Sequence, residues 1–380
     1  MTVAADGPVL STRRLGRATL ARQLLLEPST LDVVAAVEAV AALQAQEPPS
    51  PYVGLWARLA GFDSASLDRA LAERELVKGT LMRRTVHIAS ASDYRALWIA
   101  TQGWLTAARR TDRRDVPDAR LLHELRRFGA EFASAPRSLS ELRDGLGDRA
   151  GRSADELLWW LRWAHPLIHV PANVSWSYGR RPLLVDADAW LPPGEWPDPT
   201  SATGRLVRMY LGAFGPASVA DIARWAGIPV AAVRPGVDAV EAAGGLRTYR
   251  AETGRLLVDL ADAPLPDEDV ASPVRLLPMW DSTLLAHDDR TRIISDDQRG
   301  RVIARNGDTL ATILVDGVVA GRWWPVVEDG RTRIELDPFR GLAAADRIAL
   351  DELAERLARF VEPLEPAVYA RYRRWRKDDA

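Results

Sequence analysis

The sequence predicts an α+β protein of three tandem winged-helix units, closed by an antiparallel β-meander and a last helix. Three observations carry this. A helix–turn–helix followed by two short strands occupies residues 205–260. The same order recurs upstream. Two Asp-Gly pairs, Asp316-Gly317 and Asp329-Gly330, sit between apolar strands, the strongest short signal for a hairpin turn.

The third unit is the clearest. Ser218 precedes Asp221 by three residues, a helix-start signature. Ile222, Trp225 and Ala226 form the apolar face, and Gly227 suits the left-handed stop. A second helix after Pro229 runs to Gly244-Gly245. Strands at Leu246–Arg250 and Arg255–Leu260 flank a turn at Thr253-Gly254. A helix near Arg205–Ala213 precedes them.

The second unit opens with a short helix at Ser140-Glu141. Ser153 and Glu156 then cap a helix carrying Leu157, Leu158, Trp160 and Leu161. Strands follow at Leu167–Val170 and Arg181–Val185. In the first unit, helices are expected at Thr12–Leu25, Leu31–Gln44, from Ser50-Pro51, and at Ala65–Arg74. Leu81–Ala89 reads as one strand with Arg83, Thr85 and His87 on one face. A Pro192–Pro199 linker separates units two and three. The expected divisions are 1–130, 131–195, 196–265 and 266–380, with strands Leu310–Val315, Val318–Trp323 and Arg331–Leu336 and a helix at Ala343–Val361 in the last.

Composition narrows the chemistry. There are 380 residues and no cysteine, which excludes disulfides, thiolate metal sites and a cysteine nucleophile. Five histidines lack metal-ligand spacing, so no metal and no cofactor is expected. No apolar run is long enough for a membrane span, and no leader-like apolar segment follows the N-terminal arginines. A cytoplasmic monomer is expected. Net charge is −2, unlike a general nucleic-acid coat. Arginine is nevertheless clustered at Arg109-Arg110, Arg113-Arg114, Arg180-Arg181 and Arg371–Lys377. Such clusters serve either as solvated faces or as phosphate contacts.

Gln44 and Gln46 stand out at the end of the amphipathic Leu31–Leu43 segment. Pro48 pushes Glu47 toward extended geometry. Residues two apart diverge on a helix but share a face in extended chain. Both amides therefore address one ligand only where the helix has broken by Gln46. Carboxamides cannot ionise, but each offers a donor and an acceptor. They can hold a water or cradle a developing positive sugar; the alternative is that they cap the helix end or face solvent.

Leu43-Gln44-Ala45-Gln46-Glu47-Pro48, followed by Tyr52–Leu59, resembles the AlkZ/YcaQ-type bacterial DNA glycosylases. So do Met82–Ile88 with Ser92-Asp93-Tyr94, Phe214–Ser218 with Trp225-Ala226-Gly227, Leu277–Asp281, and Leu314–Trp323. The resemblance implies a C-shaped molecule of three winged helices around a DNA channel. It also implies excision of alkylated purines, including bulky N7-guanine adducts and interstrand crosslinks. The Gln-aliphatic-Gln form at Gln44 and Gln46 places the chain on the AlkZ-like branch, which often protects antibiotic producers from their own DNA-alkylating product. Gln44 and Gln46 would orient a water and stabilise an oxocarbenium-like sugar. Lys78, the closest lysine in sequence, stands too far along the chain to suggest a Schiff base, so a monofunctional enzyme is expected. Its partner would be double-stranded DNA carrying alkylated guanine, contacted by Arg83, Arg84, Thr85, His87, Arg180, Arg181, Arg322, Arg373 and Arg374. His87 also reads as a structural histidine, and Trp323-Trp324 as core. Arg84 departs from the glycine expected there. The other readings are a non-enzymatic DNA-binding protein and a protein-interaction scaffold.

Overall fold

In a computed structural model, which describes residues 7–102, 116–179, 181–370 and 372, both Asp-Gly pairs turn as expected. Asp316, Gly317, Asp329 and Gly330 all have φ between 49° and 79°. Two positive φ values in succession give the turn whose twist matches paired strands. The turns join β11 (Thr312–Val315), β12 (Val318–Glu328) and β13 (Arg331–Pro338). A further strand, β10 (Arg275–Leu277), completes a four-stranded antiparallel sheet. The Ala344–Val361 helix covers it with Leu350, Ala354, Leu357 and Val361.

Between residues 199 and 260 the order is three helices and two strands. The Pro199–Phe214 helix starts earlier than expected, with Asp198 accepting from the Thr200 and Ser201 amides. Pro199 thus ends the linker and opens the helix, where its missing N–H costs nothing. Ser218 and Asp221 close a reciprocal capping box on the Val219–Ala226 helix, and Gly227 ends it at φ 74°. The Val230–Ala242 helix leads to β8 (Leu246–Ala251) and β9 (Leu256–Leu260). A strand near the N-terminus, β1 (Val9–Leu10), adds parallel to β8.

The earlier residues share one six-stranded sheet, ordered β2-β4-β3-β6-β7-β5. Its members are β2 (Leu43–Gln44), β3 (Leu76–Thr80), β4 (Val86–Ser90), β5 (Arg137–Ser138), β6 (Leu167–Val170) and β7 (Leu183–Asp186). The β3–β6 pairing sets Lys78 opposite His169 and Gly79 opposite Ile168. One sheet therefore joins residues on both sides of position 130. Gly79 is required there, since a Cβ would lie 2.5 Å from the Tyr94 ring.

Two expectations in the first unit are corrected. The helix read as Leu31–Gln44 runs only from Val33 to Ala39. Ala41 (φ 58°) and Ala42 (φ 74°) turn left-handed, and their amides donate back to Glu38 and Val37. That is the Schellman close normally built on glycine. It uses alanine at about 1–2 kcal/mol per left-handed residue. Pro48 instead precedes α3 (Pro49–Trp56).

The stretch read as one strand, Leu81–Ala89, is broken. A single 3-10 turn spans Met82–Arg84, and Val86 resumes the sheet. Arg83 (φ 51°) and Arg84 (φ 60°) are both left-handed. Arg83, Thr85 and His87 therefore do not share a strand face. The Arg83 backbone presses against Gly227, where a Cβ would sit 2.7 Å from the Arg83 Cα.

The core has two main parts. One gathers Tyr94, Trp160, Tyr210, Phe214 and Trp225. The other packs α3, α2 (Val33–Ala39) and α4 (Ser64–Ala72) against the four-stranded sheet and the Ala344–Val361 helix. Buried ion pairs cross between segments. Arg22, ending α1 (Thr12–Arg22), grips Asp259 of β9 at 2.7 and 2.8 Å. Arg58 grips Asp281 with two bonds of 2.9 Å.

Removing one partner of such a pair leaves a buried charge uncompensated, which costs about 3–5 kcal/mol. Asp259→Ala is expected to lose that much in urea titration; a loss below about 1 kcal/mol would contradict the role given to the pair. Gly227→Val is expected to cost about 1–3 kcal/mol. Gly227→Asn, although tolerant of left-handed backbone, brings no recovery, because its Cβ meets the same Arg83 atoms.

Candidate active site

With the helix stopped at Ala39, Leu43 and Gln44 enter the sheet as β2, opposite Ile88 and His87. The extended geometry continues, and the Ala45 amide donates to the Val86 carbonyl at 2.8 Å. Both glutamines consequently reach the same neighbour, the 83–86 segment. Arg83 Nη2 donates to Gln44 Oε1 at 2.8 Å. The Val86 amide donates to Gln46 Oε1 at 3.0 Å. These donors fix which end of each amide is which, since neither can accept a hydrogen bond. Each carbonyl oxygen accepts one bond, and the Gln46 amide is the one left facing open space. Gln44 is buried and Gln46 exposed.

Arg83 is the link. Its Nη1 also donates to the Trp225 carbonyl at 2.8 Å. Desolvation, with the Arg290 charge second, brings its guanidinium down to about 10. It remains charged at neutral pH. His87, beside Gln44 in the sheet, is buried with Nδ1 3.0 Å from the Thr85 carbonyl. Burial first, then the Arg83 charge, holds its imidazole down at about 3, so the ring is neutral. Its Nε2 is buried without a hydrogen-bond partner. Of its two sequence readings, this matches the structural histidine in its burial, but it leaves one nitrogen unsatisfied.

The other expected DNA contacts are not gathered here. Arg84 is exposed, 5.9 Å over the Trp163 ring. Its left-handed backbone explains why glycine suits that position. Thr85 turns its hydroxyl onto the Met82 carbonyl at 3.1 Å. Arg181 is exposed before β7. Arg322 is a correction. It is 6% exposed and bonds Asp337 at 2.8 and 3.1 Å. It braces the hairpin from within, its guanidinium paired with Asp337. Trp323 is core, donating to the Leu277 carbonyl, and Trp324 donates to Glu335. Arg180, Arg373 and Arg374 lie outside the described residues, as do the Arg109–Arg114 clusters.

Gln46 opens onto a cleft of about 980 Å³. Glu47, Lys78, His169, Tyr178 and Glu365 share its lining. The far wall is held by the Trp176 indole, which donates to Glu365 at 2.7 Å. Lys78 was expected to be remote, because 32 positions separate it from Gln46. Strand pairing cancels that distance: β4 lies between β2 and β3. The lysine is 6% exposed, with Nζ 4.1 Å from the Tyr178 ring centre. Burial brings its ammonium down to about 8. One signal in the sequence was available. Of 50 basic residues only Lys78 and Lys377 are lysines.

Among the described residues, no cluster of histidine and carboxylate is placed to hold a metal ion, and no helix is long and apolar enough to cross a membrane.

The AlkZ-like DNA glycosylase family profile matches residues 37–360. A Streptomyces sahachiroi protein described as an interstrand DNA cross-link repair glycosylase is 28% identical over 215 residues. That match takes in 52% of this chain and 55% of the relative, so it spans about half the relative's length. The solved structure of Streptomyces sahachiroi DNA glycosylase AlkZ superposes with a TM-score of 0.74 at 21% identity, over 93% of this chain and 97% of that one. That likeness speaks for the fold. The profile match covers most of the chain, and the chain belongs to the AlkZ-like DNA glycosylase family.

Proposed function

We propose that this protein is a DNA glycosylase that hydrolyses the N-glycosidic bond of N7-alkylguanine, with bulky adducts and interstrand crosslinks among its substrates. The observation that carries the reading is Gln46, held by the Val86 amide at the edge of an open cleft, with Gln44 locked behind it by Arg83. Family membership supports it, and the description of the Streptomyces relative points to crosslinked DNA.

The chemistry asks little of the protein. N7 alkylation makes the base cationic, so it leaves without being protonated. Water supplies the oxygen to C1′, the C1′–N9 bond breaks with its electrons going to the base, and a proton is released. The Nε2 end of Gln46 can donate to that water and fix its position. Glu47, on the same wall, offers negative charge to the cationic sugar. The role of cradling the sugar is thus shared between the glutamine oxygens, each of which keeps one lone pair, and a carboxylate. Fixed dipoles of this kind act without reorganising during the reaction.

The three-helix, two-strand order at 199–260 supports reading the chain as three winged helices arranged around DNA. In that arrangement Arg84, Thr85, Arg181 and the Arg180, Arg373 and Arg374 side chains meet phosphate. A crosslinked guanine cannot be extruded freely, so the lesion is read within the duplex. The protein acts as a cytoplasmic monomer, and self-resistance to a DNA-alkylating antibiotic is its proposed setting.

Purified protein incubated with N7-methylguanine DNA, and separately with a crosslinked duplex, is expected to release base and leave an abasic site. Binding without release from either would replace this reading with that of a damage binder; no duplex affinity even at low salt would favour a scaffold. Gln46→Ala is expected to slow single-turnover release by about 100-fold or more, the scale of a lost fixed dipole. Unchanged release would remove the glutamine pair from the mechanism.

A further inference from the structure

Lys78 is the group in this cleft that base hydrolysis does not use. It lies on β3, with β4 on one side and β6 on the other, opposite Ile88 and His169. A buried ammonium is normally paired with an anion. Lys78 has no ion pair or hydrogen bond among the described residues, only the Tyr178 ring 4.1 Å away. Its two nearest named neighbours, His169 and Tyr178, are neutral, while Glu47 and Glu365 line the same cleft. His169 is held well below its usual range by burial and by the Lys78 and Arg162 charges. Burial raises the Tyr178 phenol, and its hydroxyl is buried with no partner. Two orphaned polar groups therefore flank one open cleft.

We infer that Lys78 is an imine-forming amine, which captures the aldehyde of an abasic site in the cleft and permits cleavage of the strand beside it. Its ammonium, brought down to about 8 by burial, leaves about a quarter of the amine as free base at pH 7.5. An ordinary lysine has about one part in a thousand. A desolvated lysine is the usual form of such a nucleophile. The Nζ lone pair adds to C1′ of the ring-opened sugar, and the carbinolamine loses water to give a protonated imine. That imine acidifies the C2′ proton, which passes to a base; the Glu47 carboxylate lines the same cleft. The C3′–O bond then breaks, its electron pair leaving with the 3′-phosphate. Water hydrolyses the imine, returning the amine and releasing an unsaturated aldehyde. This replaces the monofunctional outcome expected from sequence distance. It rests on the glycosylase reading only for the origin of the abasic site.

The test supplies that site directly. A duplex with a preformed abasic position, made by removing uracil, is incubated with the full chain and borohydride. A covalent protein–DNA adduct is expected, and peptide mapping of the wild-type adduct places it at Lys78. Only Lys377 and the N-terminal amine compete. Lys78→Arg, which keeps the cation and loses the nucleophile, is expected to reduce the adduct and the strand break at least 10-fold, while Lys377→Arg leaves both unchanged. No adduct despite binding, or an adduct mapped to another amine, overturns the inference, and neither outcome depends on a variant folding. Adduct without release of alkylated base would sink the glycosylase reading and leave this one standing. Base release without adduct does the reverse.

Discussion

One guanidinium holds the candidate site together. Arg83 joins the Gln44 amide to the last turn of the Val219–Ala226 helix, segments far apart in the chain. It reaches both because its own backbone is left-handed, and it fits because residue 227 has no side chain. Its charge helps keep His87 neutral. Gln44 is thereby held by its oxygen, which determines the chemistry left to it. Arg83 is a single support for a strained turn, a buried histidine and an oriented amide. Strain of this kind persists only where surrounding structure over-determines it.

What could be read from the sequence was mostly local. The Asp-Gly turns and the Ser218–Asp221 box form as expected, because each depends on residues within three positions of one another. The break between helix and Gln46 was also legible in outcome, although its cause was misplaced. Pro48 was the visible stop, whereas a Schellman close on Ala41 and Ala42 ends the helix first. Alanine gives no warning there, since it is the best helix former. The mistaken strand at Leu81–Ala89 has the same origin. Two arginines in sequence do not themselves announce two left-handed residues; the glycine expected at position 84 was the one hint.

The candidate site was named from the sequence at Gln44 and Gln46, but its surroundings were illegible for a different reason. Lys78, Tyr178 and Glu365 meet Gln46 through sheet order and a returning C-terminal segment. No periodicity encodes such neighbours. Arg322 differs from its expected exposure in the opposite sense. Its position beside a hairpin suggested exposure, but its face of β12 turns inward onto Asp337. A cation on a strand is ambiguous until the sheet's covered face is known.

The threading of α1 has a consequence for synthesis. Arg22 pairs with Asp259, 237 residues later, and Arg17 donates to the Asp316 carbonyl, 299 residues later. β1 waits likewise for β8. At about 5–20 residues per second, α1 leaves the ribosome some 15–60 seconds before its last partner is made. For most of that interval Leu15 and Leu20, both buried in the finished protein, are only partly covered: Leu15 waits for Tyr249 and Leu257, and Leu20 has Leu25 and Ala57 but waits for Leu277 and Leu314. The first helix to be translated therefore completes its burial only with partners drawn from the far half of the chain.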